Sequence, residues 1–250
     1  MSRQEIIDQQ FINIPLTAAN IDIYYVRKSI LQAIQQSMPQ FHGKLLDVGC
    51  GIMPYREMII SQADIVSYTG LDFENSVDPQ YALGKPDLFW AGDVIPMEDN
   101  SVETVLATEL LEHCPDPEKV MKEMLRVLKP GGMLFLTVPF LWNLHVVPYD
   151  EYRYTPFSLE RHLVNAGFGN VQLSALGGCD ASMAQMIGIW VIQRPMRPLF
   201  KKTIGWLMLP VMRKLIRLDK RYDKTKLFVG GSMITGITGI AFKSEAHIIK

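Results

Sequence analysis

A short apolar run, Leu45-Leu46-Asp47-Val48, stops at Gly49-Cys50-Gly51, and a strand that ends in two closely spaced glycines leaves few choices of fold. Glycine adopts backbone conformations closed to other residues and lets the main chain approach a ligand. The pattern therefore predicts a binding turn between a buried strand and a following helix. Further strand candidates run from Ile65 to Leu71, Leu88 to Ala91, Val102 to Thr108, Met133 to Val138, Val171 to Leu176 and Thr235 to Phe242.

Helical spacing fills several of the intervals. After Asn20, a potential cap, Ile23, Val26, Ile30, Leu31 and Ile34 recur three or four apart. Asp116-Pro117 announces a helix with Val120, Met121, Met124, Leu125 and Leu128 on one face, ended by Pro130-Gly131-Gly132; Thr155-Pro156 announces another, stopped by Gly167. Alternating strands and helices predict an α/β, doubly wound, seven-stranded and mostly parallel sheet with helices on both faces and ligands at the carboxyl ends of the strands. The 250 residues, 48% of them apolar, suffice for one large domain. The expected division is an N-terminal helical segment over 1–43, a cofactor-binding core over 44–179, a helical insertion over 180–230 and a final strand within 231–250.

The same turn narrows the ligand. Dinucleotide-binding turns require a third glycine, G-x-G-x-x-G, so that helix and strand pack closely. Here Pro54 stands in that place, which weakens the nicotinamide reading. An acid within the strand end, Asp47, suits a cationic amino-acid group better than a pyrophosphate. Asp72, in Leu71-Asp72-Phe73 at the end of the second strand, is placed to accept hydrogen bonds from ribose hydroxyls. Asp93-Val94, after the third strand, offers an acceptor for an adenine amino group.

With Asn100-Ser101-Val102-Glu103-Thr104-Val105, Leu111-Glu112-His113 and Leu128-Lys129-Pro130-Gly131-Gly132 following in order, the stretch from about Leu45 to Phe168 resembles the class I S-adenosylmethionine-dependent methyltransferase family, in a subgroup with Pro54-Tyr55-Arg56 after the glycine turn. That resemblance implies a Rossmann-like fold and S-adenosyl-L-methionine as cofactor. It implies that Asp47, Gly49, Cys50 and Gly51 hold the methionine part, that Asp72 and Phe73 meet the ribose, that Asp93 and Val94 lie by the adenine, and that Thr108 and Glu109 line the pocket near the methionine end. Tyr55 is open to two roles, packing on the cofactor or in the core.

Acceptor chemistry belongs after the fifth strand, where Phe140 to Thr155 is rich in groups that bind or move protons. His145 is the candidate base, because an imidazole titrates near neutrality, with Asp150 to orient it and Tyr152 as a further catalytic candidate. The alternative is that Asp150 pairs with Arg153 and the tyrosines pack, fixing a lid. His113 is a weaker candidate. The three cysteines, Cys50, Cys114 and Cys179, form no C-x-x-C pair, so neither a disulfide framework nor a metal site is expected.

The net charge of −1 gives no reason to expect nucleic acid as a partner. Basic residues do gather between Arg194 and Lys226, interleaved from Pro198 to Arg221 with Phe200, Ile204, Leu207, Met208, Val211, Leu215 and Leu218. Pro210 is expected to split this stretch into two helices. It reads either as a cap over the acceptor pocket or as a peripheral surface for anionic membrane. The start, MSRQEIIDQQ, has no apolar signal region, which predicts a cytoplasmic protein at most peripheral to the inner face of the membrane. The expected activity is methyl transfer to an oxygen or nitrogen of a small-molecule, glycan or lipid-linked acceptor. A non-catalytic S-adenosylmethionine-binding module and an NAD-dependent oxidoreductase are the alternatives.

Overall fold

The computed structural model describes residues 2–73 and 84–245. Seven strands form one sheet: β1 (His42–Val48), β2 (Asp64–Phe73), β3 (Leu88–Trp90), β4 (Val102–Thr108), β5 (Leu128–Pro139), β6 (Phe168–Ala175) and β7 (Gly236–Lys243), in spatial order β3-β2-β1-β4-β5-β7-β6. The pairs among β1 to β5 are parallel, and β7 runs antiparallel between β5 and β6. The order reverses beside β1, which puts the glycine turn at the switch point where open α/β sheets bind ligands.

Strands buried on both faces read as unbroken apolar runs, and alternate residues here go to opposite layers. Leu46, Val105, Leu134 and Leu136 pack with Val120, Met121 and Met124 of α4 (Pro117–Val127) and with Leu159 and Leu163 of α5 (Pro156–Ala166). Leu45, Leu106, Met133 and Phe135 pack on the other face with Ile30, Leu31 and Ile34 of α2 (Tyr24–Ser37) and with Ile59 of α3 (Arg56–Gln62). A short N-terminal helix, α1 (Arg3–Ile7), leads into this second layer, where Ile7 and Phe11 are buried.

Asp116 caps α4 by accepting from Lys119 N at 3.1 Å, and Thr155 forms a capping box with Ser158 at the start of α5. Gly167 closes α5 at φ +106°, in the left-handed region that favours glycine. Three sequence expectations are corrected. Asn20 does not cap α2 through its side chain, which instead binds Thr17 N and Pro15 O in the preceding turn. The α4 helix ends at Val127, before Pro130-Gly131-Gly132, because β5 begins at Leu128 to pair with Val102. Pro210 does not divide the basic segment: α7 (Pro198–Asp219) runs through it. Pro210 is exposed, so the carbonyl four residues earlier, deprived of its helical partner, can turn to water.

Between β6 and β7 the chain leaves the sheet as α6 (Cys179–Gln193) and α7. Ala184 and Val191 of α6 meet Leu209 and Met212 of α7 and Ile21 ahead of α2 in a third, smaller core. Residues 246–250 of the expected C-terminal segment lie outside the described residues.

Candidate functional site

The turn after β1 is built on left-handed glycines, Gly49 at φ +73° and Gly51 at φ +51°. A Cβ on Gly49 would lie 2.7 Å from Leu110 Cδ1, whereas one on Gly51 would meet nothing within 4 Å. The turn is therefore packed against the protein at its first glycine and open at its second. Asp72, at the carboxyl end of β2, accepts from Gly51 N and from Phe73 N, both at 2.8 Å, so it braces the turn as well as facing the switch point. Cys50 is buried, its thiol pushed above the ordinary range by burial and then by the charges of Asp47, Asp72 and Asp87.

Asp47 is buried beneath the turn. Tyr68 donates its hydroxyl to Asp47 Oδ2, and Oδ1 has no hydrogen-bond partner among the described residues. Burial pushes the Asp47 carboxyl up to about 7 against the lowering effect of the Tyr68 bond, and the nearby charge of Asp72 adds to the rise. On the far side of β2, Phe73 and Trp90 stack with centroids 5.5 Å apart, and Gly92, at φ +88°, has room for no Cβ because Phe73 lies 2.9 Å from where it would be. Asp93 is exposed and bonds the following amide, Val94 N, at 2.8 Å, and Val94 is exposed beside it. Tyr55 is buried edge-on against Phe11 at 6.1 Å, which settles its packing in the core.

Thr108 ends β4, and Glu109 follows at φ +51°, a conformation rare for a residue with a side chain. Burial pushes the Glu109 carboxyl up to about 7 against the lowering charges of Arg27 and Arg153. With Val26, Ser29, Trp142, Gln185 and Thr235 it lines a cavity of about 10 Å³, about the room of one water. Glu109 Oε1, Gln185 Oε1 and Thr235 Oγ1 have no partner among the described residues. Sequence reasoning missed Ser29, Gln185 and Thr235. Gln185 had a visible signal, a lone amide in the middle of the uncharged run that became α6.

The loop after β5 joins both readings made for it. Asp150 holds Arg153 through two bonds, 2.6 Å to Nη1 and 2.8 Å to Nη2, while it accepts from His145 N at 3.1 Å and stands 3.3 Å from His145 Nδ1. The Arg153 bonds, ahead of the other influences, hold the Asp150 carboxyl down at about 2, so it is ionised at neutral pH. His145 is lowered below the usual imidazole value by burial and by His113. Tyr152 donates to Pro115 O at 3.1 Å and stacks on Tyr154. The amides of Glu151 and Tyr152 both donate to Glu112 O, at 2.8 and 3.2 Å, which ties this loop to the turn after β4. There Glu112 is fully buried, pushed well above the ordinary carboxylate value by burial and by Glu109.

Asp219, the last residue of α7, is buried. Its Oδ1 accepts from Gly178 N at 2.9 Å and Ala181 N at 3.1 Å at the start of α6; its Oδ2 accepts from Tyr25 of α2 at 3.0 Å and from Lys224 Nζ. One carboxylate thus joins α2, α6 and α7.

Part of the chain's sequence, and its fold, are similar to those of known proteins. A methyltransferase-domain family model matches residues 46–136. The sterol 24-C-methyltransferase of Aspergillus fumigatus is 41% identical over 98 residues, which cover 36% of this chain and 26% of that enzyme. The chain spans about a quarter to two fifths of the length of the curated relatives it matches. An S-adenosylmethionine-dependent methyltransferase from Archaeoglobus fulgidus superposes with a TM-score of 0.54 at 15% identity, covering 87% of this chain and 93% of that one. A Haemonchus contortus phosphoethanolamine N-methyltransferase 2, solved with S-adenosyl-L-methionine, has a TM-score of 0.54 at 15% identity over 98% of this chain and 60% of its own. These two likenesses establish the fold.

Proposed function

We propose that this chain, whose residues 46–136 match a methyltransferase-domain family model, is a class I S-adenosylmethionine-dependent methyltransferase that transfers the methyl group of S-adenosyl-L-methionine to an oxygen or nitrogen of a small-molecule, glycan or lipid-linked acceptor. The observation that carries the reading is the pairing of an open glycine cradle at Gly51 with a buried, unpartnered oxygen of Asp47 beneath it. A ligand carrying an ammonium group fits that oxygen, and a dinucleotide pyrophosphate does not. When bound, the cofactor supplies an activated methyl on a sulfonium, which leaves the protein to align the acceptor and exclude water.

We assign Asp47 and the Gly49-Cys50-Gly51 turn to the amino-acid end, Asp72 and Phe73 to the ribose, and Asp93 and Val94 to the adenine side. Thr108 and Glu109 stand at the methyl end, where Glu109, Gln185 and Thr235 present oxygens that suit an acceptor bearing O–H or N–H groups. His145, oriented by Asp150, is assigned the acceptor's proton, and Tyr152 holds the loop in place. Calorimetric titration with S-adenosylhomocysteine beside NAD tests the cofactor class: binding of the former alone is expected, and binding of NAD alone overturns the reading.

Two predictions follow from the same site. Asp72→Ala is expected to weaken S-adenosylhomocysteine binding by about 1 to 3 kcal/mol, since hydroxyls lose a charged acceptor and the glycine turn loses its brace; unchanged affinity removes Asp72 from the site. The second is a pH dependence. A bound ammonium favours the ionised Asp47, whose carboxyl in the free protein titrates at about 7. Below that pH a proton must leave on binding, so affinity should fall by up to about tenfold per pH unit on the acid side and level off above it. Titrations from pH 8 to 6 in buffers of different ionisation enthalpy read both; a flat profile with no proton release rejects the role given to Asp47.

For α7 we propose a peripheral contact with anionic membrane. Its buried side packs on α6, while Leu199, Phe200, Trp206, Leu207 and Val211 remain exposed among Lys202, Arg213, Lys214 and Arg217. Near its start, Met196, Arg197, Leu199, Phe200 and Thr203 line a groove of about 410 Å³. No helix among the described residues is long and apolar enough to cross a membrane. Flotation with phosphatidylserine vesicles is expected to carry the protein at low salt and release it at high salt; absence of binding at low salt rejects the contact.

A further inference from the structure

The turn after β4 and the loop after β5 bring together three groups whose spacing the sequence did not reveal. Glu112, His113 and His145 each offer a ligand atom, and these atoms lie within 4.8 Å of one another. We propose that they form a binding site for one divalent transition-metal ion of the zinc class, with a fourth coordination position left open.

The hydrogen bond on His113 is what a metal site requires, and a carboxylate stands beside His145. A ligating imidazole is held by a carbonyl or carboxylate at its other nitrogen, which fixes the tautomer and aims the free lone pair. His113 Nδ1 lies 2.8 Å from Tyr149 O, and His145 Nδ1 lies 3.3 Å from Asp150 Oδ2. His113 Nδ1 is thus engaged and its Nε2 left available, while His145 Nδ1 stands beside the Asp150 carboxylate without a hydrogen bond among the described residues. Their centroids are 4.8 Å apart.

Glu112 supplies the charge. Its side chain is 0% exposed, and neither carboxylate oxygen has a hydrogen-bond partner among the described residues. Arg153, the arginine of the loop after β5, is committed to Asp150, and the ring of His113 stands 3.8 Å from Glu112 Oε1. A buried carboxylate without partners costs several kcal/mol unless it is neutralised or coordinates a cation. The histidines remain 18% and 28% exposed, which gives an ion a path from solvent.

A set of two imidazoles and one carboxylate favours zinc over magnesium, which prefers oxygen ligands alone. Tetrahedral donors about 2.1 Å from an ion lie about 3.4 Å apart, so donors separated by up to 4.8 Å must close by up to roughly 1.4 Å through side-chain movement. The absence of a cysteine pair does not bear on this site, because none of its ligands is a cysteine. The ion refines the part given to His145: one of its ring nitrogens is a ligand, and the open position receives water or an acceptor oxygen whose proton the ion makes easier to lose. To that extent the role rests on the methyl-transfer reading, while the binding does not.

The test is equilibrium dialysis of the full chain, stripped with chelator, against Zn²⁺ and separately Mg²⁺, with metal content measured by mass spectrometry and no cofactor or acceptor present. One zinc per chain and no stoichiometric magnesium are expected. Glu112→Gln and His145→Ala, each checked by circular dichroism, should weaken zinc binding at least about 100-fold. Failure of the folded wild type to hold stoichiometric zinc overturns the proposal, as does wild-type affinity in His145→Ala, which sits on a partly exposed loop and decides the matter if Glu112→Gln does not fold. Zinc retained by both variants at full affinity would place the ion elsewhere, as on exposed Cys179. Should zinc bind while S-adenosylhomocysteine does not, the metal site stands and the transfer reading falls.

Discussion

Replacing Asp219 by alanine is expected to destabilise the protein by about 3 to 5 kcal/mol, the range for removing one partner of a buried charged network. The carboxylate is 2% exposed and is the common acceptor for two backbone amides at the start of α6, the hydroxyl of Tyr25 and the ammonium of Lys224. Alanine leaves the two amides unmatched, at a helix start that no other side chain caps, while Tyr25 and Lys224 keep only main-chain acceptors, Leu176 O and the carbonyl of residue 219. Asp219→Asn keeps a carbonyl oxygen for the amides and loses the charge, so it should cost less. Urea unfolding of the two variants measures the difference. A loss under about 1 kcal/mol for the alanine variant would mean that α2, α6 and α7 are held by apolar packing alone.

His145→Ala should lower turnover by about 10² to 10⁴, the usual contribution of a positioned proton-transfer group, and leave S-adenosylhomocysteine affinity nearly unchanged. The reason is location: His145 belongs to the loop after β5, beyond the elements that carry Asp47, Gly51 and Asp72. Equal falls in kcat and kcat/KM are expected, the signature of an interaction made in the transition state. Full activity on the acceptor identified by screening would exclude His145. Zinc content of the same variant separates its two roles: if His145 is a base and not a ligand, the variant loses activity and holds as much zinc as the wild type, whereas a ligand loses zinc and activity together.

The sheet and the glycine turn were legible because their signals are local. A strand buried on both faces announces itself by apolar runs, and Val102–Thr108 matches its expected bounds; Gly49 and Gly51 mark left-handed backbone directly. Asp116 and Thr155 cap the helices they announce. Asn20 and Pro210 misled because their local preferences met tertiary circumstances. Asn20 found nearer backbone partners, and α7 tolerates proline where the freed carbonyl faces water. The assembly of Glu112, His113 and His145, or of Glu109, Gln185 and Thr235, was illegible for a different reason. Each set joins segments far apart in sequence, and only the pairing of β4, β5 and β7 brings them to one end of the sheet.

The position of β7 has a consequence for how this sheet is completed. Gly236–Lys243 is made after every other strand, yet it lies inside the sheet, pairing on one side with β5 and on the other with β6. On a growing chain, β5 and β6 each present an unsatisfied edge while the whole of α6 and α7 is still being synthesised, and open edges invite pairing with foreign strands. Every strand of the half that carries Asp47, Gly51 and Asp72, from β3 to β5, has already been synthesised by then. Premature termination anywhere in the insertion should therefore yield a chain with two sticky borders, prone to aggregate during biosynthesis although the residues proposed for the cofactor, from Asp47 to Glu109, are all present.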